Sequence, residues 1–192
     1  MNSDRHPPAE AVEPAWVDAV LRYWFEELTP AVWFTRNDAV DGQIRSRFLA
    51  LHAQLAANPD LGAATPRAIL AAVIVLDQFS RNLYRGGPQA FASDPIARQL
   101  ARSAVEQRLD VSMPAAERMF LYLPFEHSED REDQALSLRL FQNLGNHDWT
   151  SYAQAHKDLI DRFGRFPHRN AALNRRSTPD ELAHLNDATN SF

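Results

Sequence analysis

Apolar residues recur at steps of three and four in segment after segment, and strand-like alternation is hard to find. Side chains three or four apart share one face of a helix, whereas a strand repeats every two residues, so this spacing calls for helices. Only 6 of the 192 residues are glycine, which leaves few loosely held backbone positions. The fold expected is all-α, with seven to eight antiparallel helices joined by short loops and stacked as helical hairpins.

Local stop and start signals place these helices. Trp16, Val17, Val20, Leu21, Trp24, Phe25 and Leu28 form a stripe after Pro14 that ends near Thr29-Pro30, and Trp33 and Phe34 then read as a hydrophobic plug. A second helix, about Asp41 to Ala57, carries Ile44, Phe48, Leu51 and Leu55 on one face. The third opens with Thr65 as N-cap and Pro66 at the first helical position, and is expected to run to Arg85. It is apolar almost all round from Ala68 to Leu76, which marks the centre of the fold.

Gly86-Gly87-Pro88 ends it, and Ser93 or Asp94 caps a fourth helix with Ile96, Leu100, Ala104 and Leu109 toward the core. Pro114 starts a fifth helix that Pro124 is expected to interrupt. Ser128 then caps a sixth, Glu129 to Leu144, closed by Gly145-Asn146. Trp149 to Phe163 makes a seventh, closed by Gly164, and Thr178-Pro179 begins a short last helix. Residues 1–13, with Asp4, Glu10 and Glu13 and no apolar core, read as a disordered tail without the pattern of a secretory signal, and residues 14–192 as one helical domain of a cytoplasmic protein.

Composition removes several function classes. The net charge of -5 repels nucleic-acid phosphates, so no nucleic-acid partner is expected. Mean hydropathy is -0.42 and the longest apolar run ends at Asp77, far short of the roughly 20 residues that span a bilayer, so no integral membrane association is expected. With no cysteine there is no thiolate nucleophile or Cys-ligated metal. No glycine-rich phosphate cradle or nucleophile elbow is present, and no cofactor is expected. Lys157 is the one lysine; every other basic residue is arginine, so position rather than number must carry any claim about a guanidinium.

Three polar segments remain. In the first, within the central helix, steps of three and four from Leu70 lead to Asp77, Arg81 and Arg85, so an apolar face turns ionisable. Asp77 with Arg81 is an i,i+4 pair that reads either as a structural ion pair or as part of an anion-binding or catalytic site. In the second, Pro124 precedes Glu126, His127, Ser128, Glu129 and Asp130. Helix capping accounts for Glu129 and Asp130, whereas Glu126 and His127 lie before the cap and stand as candidate general acid or base. In the third, Arg162 and Arg165 suit a helix carboxyl end closed by Gly164, but His168, Arg169 and Asn170 after Pro167 form a candidate anion clamp. Arg175 and Arg176 further on complement the acidic second segment.

With the early Trp24-Phe25 and Trp33-Phe34 pairs, these segments resemble the bacterial domain of unknown function 924 family over nearly the whole chain after Pro14; only Ser80 departs from the residue expected at its place. The resemblance implies a helical fold of the tetratricopeptide-like superfamily and no particular activity, cofactor or substrate.

Two functions are open at this stage. One is a pocket for a small anionic molecule that gathers Asp77, Arg81, Arg85, Glu126, His127, His156, Arg165, His168, Arg169 and Asn170, with or without catalysis. The other is a helical scaffold that takes a protein or peptide partner in a groove, which exposed Trp16, Trp33 or Phe34 would favour. His156, among Trp149, Tyr152 and Leu159, reads as a packed core histidine rather than a catalyst. Glu126, His127, His156 and His168 lack metal-ligand spacing, so no metal is expected.

Overall fold

The computed structural model describes residues 13–61 and 64–187, so the expected tail lies outside it apart from Glu13. Every regular element among these residues is helical. Helix α1 (Ala15–Arg22) runs into a π-helical turn (Tyr23–Glu27), and a 3-10 turn (Pro30–Val32) leads to α2 (Asp38–Ala57). Asn37 starts α2 by accepting from the backbone N–H of Ala39 and Val40 at 3.0 and 3.2 Å. The central helix begins as α3 (Pro66–Val73), widens into a π-helical stretch (Ile74–Phe79) and closes as α4 (Ser80–Leu83). Then come a 3-10 turn (Pro88–Phe91), α5 (Asp94–Glu106), α6 (Ala115–Glu126), α7 (Arg131–Leu144), α8 (His147–Phe163), a 3-10 turn (Pro167–Arg169) and α9 (Pro179–Asn186).

The all-round apolar helix sits where its sequence demands. Every residue from Ala68 to Ser80 is buried, beneath α1, α2, α5 and α6. Trp24, Phe48, Phe120 and Phe125 fill the space around it. A fully buried large apolar side chain contributes about 1.5–3 kcal/mol, so the core far outweighs any ion pair set in it. Helix α7 packs between α6 and α8, a second stack of antiparallel hairpins whose short link is Gly145, left-handed at φ 72°, followed by Asn146, which caps α8.

Several expectations need correction. Pro124 does not interrupt α6; it lies in the last turn, where its missing N–H removes one hydrogen bond, and the helix continues to Glu126. Ser128 does not cap α7. Its Oγ donates to Asp133 at 2.7 Å and accepts from Arg98 at 2.9 Å, while Asp130 caps two residues later through the N–H groups of Glu132 and Asp133. On α5 the expectation holds: Ala104 is buried and Ile96, Leu100 and Leu109 pack partly buried against the core, while Ala97 and Ala101, also buried, let the helix lie close on α3. Trp33 is half-buried, donating from Nε1 to the Trp24 carbonyl at 2.9 Å, but Phe34 is no plug: it is 64% exposed. The central helix stops at Leu83, two residues early.

Candidate functional site

Asp77 is the most deeply set ionisable group of the site, 0% exposed in the middle of the π-helical stretch. Single-turn π segments inside α-helices re-aim side chains and frequently occur at functional sites. This one is braced from behind. The Leu76 carbonyl lies 2.6 Å from Ser80 Oγ and 2.7 Å from Ser93 Oγ, the two hydroxyls lie 2.7 Å apart, and the buried His52 Nε2 is hydrogen-bonded to Ser80 Oγ at 2.7 Å. On the other side Asp77 meets His127 Nδ1 at 2.8 and 3.0 Å, Arg81 Nη1 at 3.2 Å and Gln78 Nε2 at 2.5 Å.

His127 is delivered by the end of α6. Gln134 of α7, itself fully buried, donates to the carbonyls of Glu126 and Ser128 at 2.6 and 2.7 Å and so fixes the turn between them. Burial would raise the Asp77 carboxyl, but Arg81 and His127 outweigh it and hold the group below the ordinary carboxylate range. Burial, joined by Arg81 and Arg169, pulls the His127 imidazole down to about 4 against the pull of Asp77. The pair is therefore carboxylate and neutral imidazole at pH 7. An ionised carboxylate only accepts, so Nδ1 carries the proton and Nε2 keeps its lone pair.

Beside it, burial and then Asp77 push the Glu126 carboxyl up to about 8, which keeps it largely protonated at neutral pH. His156 Nδ1 lies 3.4 Å from Glu126 Oε1 and 2.9 Å from the Tyr152 carbonyl. Its expected place as core packing is thus revised to the cavity wall, where burial takes it down to about 4.

The third polar segment divides. Arg165 turns away, gripping Glu181 through Nε and Nη2 at 2.6 and 2.8 Å, and Asn170 donates to the same carboxylate at 3.2 Å. Neither lines the cavity. Glu129 accepts from the Phe166 N–H at 2.8 Å and from Arg175 at 2.6 and 2.9 Å, which pins the 3-10 turn from outside. His168 and Arg169 face inward. Arg169 lies over the rings of Phe166 and Phe91 at 4.5 and 4.8 Å, its side chain 8% exposed.

These groups converge on one cavity of about 1010 Å3, whose wall includes Arg81, Glu126, His127, His156, His168 and Arg169. Asp77 sits directly behind it, bonded to His127 and Arg81. Arg85 reaches only the rim, where Asp41 takes it at 2.8 Å. In the sequence Asp94 reads only as a cap; in the fold it is the acid that holds Arg81 in a two-pronged contact at 3.0 and 3.1 Å. The Ser93-Asp94-Pro95 pattern hides that second role. Arg169 reaches the same acid at only 3.7 Å, its buried Nε has no hydrogen-bond partner among the described residues, and burial with Arg81 lowers it to about 10. Among the described residues no three His, Asp or Glu side chains converge as metal ligands would.

The site thus combines a carboxylate-oriented neutral imidazole, a protonated carboxyl and two guanidiniums, a set suited to proton transfer next to a bound negative charge. Helical hairpins around a polar cavity define the class of protein. The chain belongs to the family described as bacterial protein of unknown function (DUF924), whose pattern it matches over residues 20–189. A solved structure of a protein of unknown function, ATU0120 from Agrobacterium tumefaciens, is similar to it at 36% identity, with a TM-score of 0.85 over 91% of this chain and 98% of that one. No curated protein matches the chain. No helix among the described residues is long and apolar enough to cross a membrane.

Proposed function

We propose that the cavity binds a small anionic metabolite and moves a proton on it, with Arg169 and Arg81 meeting the negative charge, His127 as base and Glu126 as acid. The observation that carries this reading is the incomplete pairing of Arg169. Two carboxylates and two guanidiniums lie at the base, but Arg81 takes both acids at 3.0–3.2 Å and leaves Arg169 at 3.7 Å from its nearest one. A buried guanidinium so poorly matched has more to gain from an incoming carboxylate or phosphate than a paired one does. Asp77 positions His127 by fixing the tautomer, as the acid of a hydrolytic triad does. His168, taken down to about 4 by burial and Arg169, adds a neutral hydrogen-bonding group beside the anion.

Thermal unfolding against a panel of small organic acids tests the binding. A ligand at 100 times its Kd adds about 2.7 kcal/mol to the wild type, and the shift should vanish in Arg169→Gln. A panel that leaves the wild-type midpoint unmoved would sink the reading. Nitrogen-15 NMR of His127 tests the acid-base part: a proton on Nδ1 at neutral pH is expected, and a proton on Nε2 would remove the base. A second reading, a groove for a peptide partner, draws support from Phe34 and Tyr152 at the rim, 64% and 60% exposed.

A further inference from the structure

Part of the cavity lining has a different chemistry. Met119 and Leu123 of α6, Phe141 of α7 and Trp149 of α8 belong to it, and so do the exposed Phe34, Tyr152 and Leu185. Five large apolar side chains are markedly exposed among the described residues, and three of them, Phe34 at 64%, Tyr152 at 60% and Leu185 at 44%, belong to this one cavity. They come from three separate parts of the chain: the loop after the first 3-10 turn, α8 and α9. Scattered exposed apolar residues need no explanation, but their concentration at one opening does. Phe34 is also held in place, its ring stacked at 5.9 Å and 18° on Phe120 of the core.

Accepting the reading of Arg169 as the anion site, we infer that the ligand is an amphipathic monocarboxylic acid, its head on Arg169 and its apolar body along Met119, Leu123, Phe141 and Trp149 to the rim. Two features of the molecule select this class. The charges at the cavity base already balance in number, Asp77 and Asp94 against Arg81 and Arg169, so a single negative charge is easier to place than the two of a phosphate monoester or a dicarboxylate. The volume of about 1010 Å3 lies at the upper end of the roughly 300–1,000 Å3 typical of small-molecule sites, far more than a bare anion needs. The partition of the wall then sets the order of recognition: the guanidinium fixes the head, and each methylene beyond it leaves water for an apolar surface.

Isothermal titration of the full chain with butyrate, hexanoate, octanoate, octanedioate, inorganic phosphate and an acidic peptide tests the inference. Affinity should rise roughly two- to fourfold per methylene from butyrate to octanoate, the upper figure being that of complete burial. Octanoate should bind more tightly than octanedioate and phosphate. Phe34→Ala and Tyr152→Ala should weaken octanoate severalfold while leaving butyrate unchanged, and circular dichroism should show both variants folded. Equal affinities for butyrate and octanoate, or for octanedioate and octanoate, would overturn the inference and leave the anion site standing. An acidic peptide that outbinds every acid would overturn it in favour of a peptide groove. If no acid of any length binds the wild type, the anion site itself falls and takes this inference with it.

Discussion

Two clusters of the same side-chain types lie on either side of the Pro167–Arg169 turn, and they differ in whether their pairs close. On the outer side Arg165 forks onto Glu181 at 2.6 and 2.8 Å and Arg175 onto Glu129 at 2.6 and 2.9 Å, one guanidinium to one carboxylate. On the inner side Arg81 serves both Asp77 and Asp94, and Arg169 stays 3.7 Å from the nearer oxygen. The outer cluster has closed its ion pairs, although the buried Arg175 Nε and Asn170 Oδ1 in it lack a hydrogen-bond partner among the described residues. It fastens α9 through the Thr178–Glu181 capping box and clamps the turn from behind. The inner one keeps interaction capacity in reserve, which is what a binding site requires and a brace does not. Sequence segments that alternate Arg, His and Asn can thus hold a closed brace and an under-paired guanidinium within five residues of each other.

The largest effect that would break this contrast is expected at Arg165. Its replacement by alanine leaves the Glu181 carboxylate, 2% exposed, without its guanidinium and should lower the urea midpoint more than any other substitution considered. An unchanged midpoint would reduce the clasp to a surface pair. Arg169→Gln should behave in the opposite way, weakening organic-acid binding roughly 10- to 100-fold with a smaller loss of stability than Arg165→Ala, because its nearest acid keeps Arg81 as a partner. A drop in melting temperature matching that of Arg165→Ala would place Arg169 with the braces.

A smaller effect separates the clusters by pH. Between about pH 4 and 6.5 the unfolded chain binds protons at His127, His156 and His168 that the native cavity refuses, so stability should rise with pH there. From about 6.5 to 8 the native Glu126 holds a proton that the unfolded chain has released, so stability should fall. Melting temperature should therefore peak near pH 6.5. Glu126→Gln should flatten the alkaline limb, and Arg165→Ala, by releasing the Glu181 carboxyl held down to about 2, should lower the curve above about pH 5 and reshape only its acid end. Least affected should be Phe34→Ala, whose side chain is 64% exposed and whose melting free energy should stay within about 0.5 kcal/mol of wild type.

Much of the fold is legible in the chain because capping is local. Thr65 accepts from the Ala68 N–H at 3.1 Å, Gly145 and Gly164 take the left-handed conformation, and Thr178 starts α9 next to Pro179. Errors arise where a tertiary partner competes for the local signal: Arg98 and Asp133 draw Ser128 away from its cap. The site is less legible. The i,i+4 spacing announces Asp77 with Arg81, but nothing in sequence brings Asp77 to His127, 50 residues on, or Asp94 to both arginines. Only a straight, uninterrupted helix would put Arg85 beside Asp77, and the helix ends at Leu83. Arg165, His168, Arg169 and Asn170 adjoin in sequence yet point to opposite sides of one turn, which only the packing of α9 decides.

The π-helical stretch makes the central helix two helices out of phase. A π turn accommodates one residue more than an α turn, so the two ends are offset by about 100° from what an uninterrupted helix would give. Ile74–Phe79 is, in effect, an insertion of one residue that the fold has absorbed with every residue of the stretch still buried. Deleting a single residue there would restore a regular helix and keep Ala68 to Val73 in the core, while swinging Asp77 and Arg81 away from His127 and Asp94. The frame of reading along that one turn, more than the identity of any side chain on it, is what joins the scaffold to its cavity. A homologous chain one residue shorter at this point would keep the hairpins and lose the constellation.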